Sequence, residues 1–210
     1  MLLVTSVAIC FILFTCVVFI VMKIINHRKR GTVSVLAVVG SGGHTKEMLS
    51  LLSGVGPHYC PRYYVIANTD TMSQKKVEQF EKQRTTREKN ELEYSMVLIP
   101  RSREVAQSWW STILSTMYAL LLSIPVVFKS NPDLILCNGP GTCVPICLAG
   151  LLLKVVRVGK PKIVYVESIC RVDTLSLSAW ILYYLVDQML VQWPTLQAKY
   201  PRTHYIGKLV

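Results

Sequence analysis

The sequence predicts an α/β fold, a doubly wound parallel sheet preceded by one transmembrane helix. Strand-length apolar runs recur along the chain, their hydrophobicity is continuous rather than alternating, and the stretches between them are long enough for helices. Strands buried on both faces belong in a Rossmann-like parallel sheet wrapped by crossover helices. Length agrees, since 210 residues with 51% apolar content supply one full domain and a small appendage, and two large domains would not fit.

The appendage comes first. Met1 to Met22 carries no charged side chain, and 22 helical residues reach about 33 Å, enough for a hydrocarbon core of roughly 30 Å. A cleaved signal peptide would show a basic front, a shorter run and a small-x-small site, whereas here Lys23, Arg28, Lys29 and Arg30 follow the run. Residues 1–22 are therefore expected to be a retained anchor, 23–32 a basic juxtamembrane linker and 33–210 the folded domain. The positive-inside tendency puts that domain in the cytosol, where the seven cysteines stay reduced and buried. Cys143 and Cys147, four apart with no His nearby, are too sparse for a zinc site.

The first run, "VSVLAVV" (Val33 to Val39), leads through "GSGGHT" (Gly40, Ser41, Gly42, Gly43, His44, Thr45) into a helix. Glycines admit a bulky anion close to the backbone, and the amides and dipole of the helix start favour negative charge. The turn suits phosphate. A dinucleotide fingerprint would need glycine where Thr45 stands, and no Gly-Lys-Ser/Thr closes the turn as a P-loop requires. A close-packed turn without a ligand would look similar. The helix dipole disfavours an imidazolium at His44 and so helps keep it a neutral general base; the alternative is a His that bonds the local backbone.

"RYYVIA" (Arg62 to Ala67) is the second run, and the mixed-charge stretch Ser73 to Glu93 after it reads as a solvated helix with a mobile tip, Val77 and Phe80 lining one face. "YSMVLI" (Tyr94 to Ile99) is the third. Gln107 to Phe128 is again 22 residues without charge, but a bilayer crossing there would divide the strands before and after it between two compartments. It reads either as an ordinary buried helix ended near Pro125 or as an apolar patch resting on headgroups, with Trp109, Trp110 and Tyr118 flanked by Arg101, Arg103 and Lys129.

"DLILC" (Asp133 to Cys137) is the fourth run and opens a second glycine turn, "CNGPGTCVP", before an apolar helix from Ile146 to Leu153. Asn138 and Thr142 offer side-chain hydrogen bonds beside Gly139 and Gly141, or Pro140 and Gly141 simply shape a tight turn. "KIVYV" (Lys162 to Val166) is the fifth run, followed by Glu167 and then Arg171. A carboxylate there can accept a proton or bind a sugar hydroxyl, or pair with Arg171 as a structural bridge. "MLVQW" (Met189 to Trp193) is the sixth. The formal net charge of +11 favours an anionic neighbour, yet no aromatic-interleaved basic strip or reading motif points to nucleic acid.

Taken in order, the anchor, "GSGGHT", "CNGPGTCVPIC", "IVYVESICR" and "VQWP" closely resemble the asparagine-linked glycosylation protein fourteen family. These are membrane-anchored subunits of the transferase that adds the second N-acetylglucosamine to dolichyl-diphosphate-linked N-acetylglucosamine. The wider family is the GT-B glycosyltransferases, with two facing Rossmann-like domains and a "GGTGGH" turn that Gly42, Gly43 and His44 resemble; a second glycine turn resembles Asn138 to Thr142, and a later Glu resembles Glu167. The resemblance implies the N-terminal, acceptor-side half of a GT-B fold, with His44 and Glu167 as catalytic candidates. Gly40, Ser41, Gly42, Gly43, Thr45, Asn138, Gly139, Gly141, Thr142 and Arg171 are the substrate-binding candidates.

It also implies a separate soluble catalytic subunit that carries the UDP-N-acetylglucosamine site, because a one-chain enzyme would continue beyond "HYIGKLV". The contact is expected at Tyr205 to Val210, the location at the cytosolic face of the endoplasmic reticulum membrane, and neither metal nor cofactor is expected; the absence of Asp-x-Asp agrees. Two rivals remain from the residues alone: a self-sufficient nucleotide- or S-adenosylmethionine-dependent Rossmann enzyme, and a purely structural membrane recruiter.

Overall fold

The computed structural model describes residues 31–88, 93–102 and 107–209, so the expected anchor at residues 1–22 lies outside the described residues, as do residues 23–30 of the linker, the tip near 89–92 and Arg103. Seven strands, β1 (Val35–Val39), β2 (Arg62–Ala67), β3 (Tyr94–Ile99), β4 (Leu134–Asn138), β5 (Lys162–Val166), β6 (Gln188–Val191) and β7 (Thr203–Tyr205), form one sheet in the order β3-β2-β1-β4-β5-β6-β7. Every pairing is parallel, and Val35 stands opposite Arg62 on one side and Leu134 on the other. This is the doubly wound Rossmann-like fold that the continuous apolar runs predict, because β1 is buried along its whole length.

The pleat sorts the core into two layers. Val35, Ala37 and Val39 join Met48, Leu52 and Val77 beneath α1 (Gly43–Ser53) and α2 (Thr71–Glu88). Leu36 and Val38 join Val127, Ile146 and Leu182 beneath α3 (Trp109–Ser130), α4 (Cys143–Val155) and α5 (Leu177–Leu182). A short α6 (Pro194–Lys199) precedes β7. β7 escapes the sequence reading because it is three residues long and only Thr203 is buried.

Two helices differ from expectation. The face that α2 buries holds Ser73, Val77, Glu81 and Arg84, so charge as well as apolar surface faces inward. The buried Arg62 places Nη1 3.8 Å from Glu81 Oε1, Arg84 Nη2 lies 2.9 Å from Glu81 Oε2, and the Tyr64 hydroxyl donates to Glu81. Burial and the Glu81 charge push the Tyr64 hydroxyl well above its ordinary range.

α3 runs through Pro125 and ends at Asn131 in the left-handed region, φ 36°, rather than stopping at the proline. Over Trp110–Ser130 it is long and apolar enough to cross a membrane, with mean hydropathy 1.8 in an 18-residue window. The helix nevertheless joins β3 to β4 of the same parallel sheet, which makes it a crossover. It buries Ala119, Ser123 and Val127 at four-residue spacing and leaves Trp110, Leu114, Met117 and Leu121 exposed. Of the two alternatives, the ordinary buried helix is set aside: this is a surface helix with one wide exposed apolar face.

Candidate functional site

β1 and β4 are neighbours, yet the helices that follow them lie on opposite faces of the sheet. The backbone splits where the strand order reverses and opens a crevice at the carboxyl ends, walled by the two glycine turns. The glycines there do different work. A Cβ on Gly40 would stand 2.7 Å from Pro140 Cγ and 2.8 Å from His44 Cβ. One on Gly139, where φ is +72°, would stand 2.1 Å from Cε1 of His44. The two turns thus close on each other with the His44 ring seated against Gly139. Gly42, at φ +65°, and Gly43 have open space on the Cβ side, and with Ser41 they are exposed at the start of α1.

His44 is held at one nitrogen. Its Nδ1 lies 3.1 Å from Asn138 Oδ1 and 3.3 Å from Glu47 Oε2, two acceptors that place the proton on Nδ1 and leave Nε2 as the basic nitrogen. Asn138 is fixed in turn, since its Nδ2 donates to the Val166 carbonyl at 3.3 Å. Glu47 is buried, and its other oxygen accepts from the Ile169 amide at 2.8 Å, from Gln192 Nε2 at 3.1 Å and from Ser168 Oγ at 3.5 Å. Gln192 Nε2 also donates to the Glu167 carbonyl at 3.0 Å, and Gln192 Oε1 accepts from the Leu209 amide at 2.9 Å.

These contacts set the protonation. The hydrogen bond that His44 donates to Glu47 raises the His44 pKa above 6.5 against the opposing effect of burial, contrary to the neutral ring expected from the helix dipole. Burial works to raise Glu47, but the hydrogen bonds from His44 and the Ile169 amide overcome it and hold the carboxyl below its ordinary value. Burial raises Glu167, only partly offset by the Ser176 and Ser168 amides.

The structure divides the expected site residues. Gly40, His44, Asn138 and Gly139 meet in the crevice, with Ser41, Gly42, Gly43, Gly141 and Thr142 around it. Thr45 points inward instead: it is buried, donates to the Gly40 carbonyl at 2.5 Å and bonds Ser73 Oγ at 2.7 Å, so it braces the turn. Glu167 is 0% exposed, and its two oxygens accept from the Ser168 amide at 2.9 Å and the Ser176 amide at 2.7 Å. Enclosed in this way, it holds the loop after β5 rather than presenting a free carboxylate. Arg171 is exposed and makes no ion pair with Glu167 among the described residues, so the alternative of a structural bridge is not realised, although its charge still acts to lower the Glu167 pKa.

Glu47 and Gln192 are the residues that sequence reasoning missed. Glu47 stands three positions after His44 in a helix, a spacing that puts the two side chains on one face and was open to recognition. Gln192 carried a weaker signal, a lone amide at the end of an apolar strand whose partners come from 17 to 145 positions away.

Comparison with known proteins follows this geometry. A family model described as oligosaccharide biosynthesis protein Alg14 like matches residues 35–209. The human UDP-N-acetylglucosamine transferase subunit ALG14 is 49% identical over 92% of this chain and 90% of its own length; the subunit of the same name from Schizosaccharomyces pombe is 48% identical over 82% and 81%. Among solved structures, Acinetobacter baumannii MurG superposes with a TM-score of 0.52 at 12% identity, covering 85% of this chain and 44% of MurG, which is a likeness of fold. With the family model spanning nearly the whole domain and the crevice lying where its two glycine turns meet, this chain belongs to the Alg14-like family of oligosaccharide biosynthesis proteins.

Proposed function

We propose that this chain is the membrane-anchored, acceptor-binding subunit of a heteromeric transferase that moves N-acetylglucosamine from UDP-N-acetylglucosamine to dolichyl-diphosphate-linked N-acetylglucosamine, the second step in building the lipid-linked oligosaccharide for protein N-glycosylation. The observation that carries this reading is the 49% identity across nine-tenths of a human protein named as a subunit of a UDP-N-acetylglucosamine transferase. A subunit has a partner, which in this reading is a second, soluble polypeptide that brings the nucleotide-sugar site.

In this reading the amides of Ser41, Gly42 and Gly43 face the acceptor's diphosphate and sugar, and the acceptor's 4-hydroxyl attacks the anomeric carbon. A new C–O bond forms as the bond to UDP breaks, UDP leaves with the electron pair, and configuration inverts. The hydroxyl proton passes to His44 Nε2, which the Nδ1 contacts to Glu47 and Asn138 keep available. Glu47 stabilises the imidazolium that results, as a buried carboxylate behind a catalytic His does. Residues 1–22 tether the domain to the endoplasmic reticulum membrane on its cytosolic side, and the exposed apolar face of α3, with Trp110 83% exposed, rests among the headgroups.

Reconstitution tests the reading. Membranes holding this chain and its partner convert the lipid-linked acceptor, and neither chain does so alone. Full transfer by the isolated chain would instead favour a self-sufficient enzyme.

A further inference from the structure

Beyond the carboxyl ends of β1 to β4 lies a cleft walled by Ser41, Asp70, Arg101, Ser102, Gly141 and Thr142. Three of these residues, Asp70, Arg101 and Ser102, belong neither to a glycine turn nor to the His44 network. Ser102 is only 2% exposed, yet its Oγ has no hydrogen-bond partner among the described residues. A buried hydroxyl in that condition is a donor awaiting an acceptor. It faces the open side of Gly141, where a Cβ would lie 3.6 Å from the oxygen. Its place is set from behind, because the Ser102 carbonyl accepts from Ser115 Oγ at 2.7 Å and from Thr116 Oγ1 at 3.2 Å, both on α3.

Arg101 stands beside it. Its Nε donates to Thr69 Oγ1 at 2.9 Å, which fixes the guanidinium at the rim and leaves its two terminal amino groups unpartnered among the described residues. Among the described residues Asp70 forms no ion pair with Arg101; its two oxygens are turned to the Ser73 amide at 3.0 Å and the Ser73 hydroxyl at 2.6 Å.

We infer that the turn after β3 is an anion clamp, in which Arg101 and Ser102 grip a diphosphate from the side opposite the amides that begin α1 and α4. The assignment rests on the acceptor-binding reading above and names the residues that hold the acceptor's diphosphate. One guanidinium, one buried hydroxyl and two helix starts suit a ligand with more than one negative charge, reached from several directions. α3 follows this same turn and exposes Trp110 and Leu114 in its first turns, so the diphosphate is one carried on a lipid.

The test uses the full-length chain in complex with its partner. Calorimetry with inorganic pyrophosphate and with inorganic phosphate compares wild type, Arg101→Ala, Arg101→Lys and Ser102→Ala, and steady-state kinetics follows a short-chain lipid-diphosphate acceptor. Pyrophosphate binds more tightly than phosphate, Arg101→Ala weakens it about tenfold or more, Arg101→Lys recovers part of the loss, and Ser102→Ala weakens it about threefold to tenfold. The acceptor KM rises in parallel while the KM for UDP-N-acetylglucosamine stays put. An unmoved acceptor KM, or an equal rise in both KM values, overturns the clamp and leaves the subunit reading intact. A complex that transfers nothing but loses pyrophosphate binding in Arg101→Ala supports the clamp and sinks the subunit reading. Failure of the lipid-linked diphosphate in phosphatidylcholine vesicles to displace pyrophosphate overturns the assignment to a lipid ligand.

Discussion

Gln192 donates its side-chain amide to Glu47 at 3.1 Å, and through that bond the end of β6 reaches the carboxylate behind His44. The same amide also donates to the Glu167 carbonyl, so one side chain ties together the ends of β5 and β6 and the second turn of α1. His44 is positioned from both glycine turns and from the far half of the sheet.

Glu47→Gln tests what the carboxylate does. His44 is raised above 6.5 chiefly by Glu47, so kcat/KM should climb with pH through a pKa above that value as imidazolium gives way to neutral base. With the charge removed, the acid limb moves to lower pH, and the plateau rate falls about tenfold to a hundredfold because the imidazolium formed in transfer loses its counter-charge. A pH–rate profile of the reconstituted complex reads both effects. An unshifted acid limb would detach Glu47 from His44.

The same pair makes stability depend on pH. Glu47 is lowered on folding, so its contribution is present above the unfolded carboxyl value and is lost as pH falls through the folded one. His44 is raised, so its contribution is present below 6.5 and is lost as pH rises through the folded pKa. Thermal unfolding from acid to mildly alkaline pH should therefore show less variation in a Glu47→Gln, His44→Gln double variant than in wild type.

Gly139→Ala tests the closure of the two turns. The position has φ +72° and its Cβ would overlap the His44 ring, so alanine displaces the imidazole or opens the crevice. Transfer should fall about a hundredfold, the order seen when a reacting group is misplaced by an ångström. Gly43→Ala is the control. It has open space and a negative φ at the first residue of α1, and it should cost far less. Equal losses in the two variants would show that bulk anywhere in the turn is the problem.

The sheet was legible and the relay was not, for one physical reason. β2 and β5 coincide with their apolar runs because burial on both faces writes itself into contiguous residues, and β3 coincides with its run although it is an edge strand in which only Ile99 is buried. The partners of Glu47 sit at 44, 168, 169 and 192, so the contacts that define its role appear only once the chain is folded. Thr45 and Glu167 stand among the site candidates for the complementary reason: a polar residue in a glycine turn or at a strand end gives no sign of whether its atoms are already taken. Burial and two backbone amides settle that for Glu167.

Glu81→Leu probes the charge beneath α2. Removing that carboxylate leaves the guanidinium groups of Arg62 and Arg84 buried without their counter-charge and takes away the acceptor for Tyr64. Stripping one partner from a buried ion pair costs about 3–5 kcal/mol. Denaturant unfolding of the domain spanning residues 33–210 should show a loss on that order, and a variant within 1 kcal/mol of wild type, about the worth of an exposed pair, would mean that water reaches the cluster.

The wide apolar face of α3 can be tested apart from catalysis. Leu114 and Leu121 are 70% and 65% exposed and lie two turns apart on the face opposite Ala119, Ser123 and Val127, so glutamate at both positions leaves the core undisturbed. If this face rests on headgroups, the double variant of a chain lacking residues 1–30 should lose sedimentation with phosphatidylcholine–phosphatidylserine vesicles, since burying one Leu side chain contributes about 1.5–3 kcal/mol and a buried carboxylate opposes it. Unchanged circular dichroism would locate the loss at the surface. Sedimentation as strong as that of the unsubstituted truncated chain would instead assign membrane attachment to other parts of the domain and free the α3 face for a protein neighbour, with Trp110 as its exposed aromatic anchor.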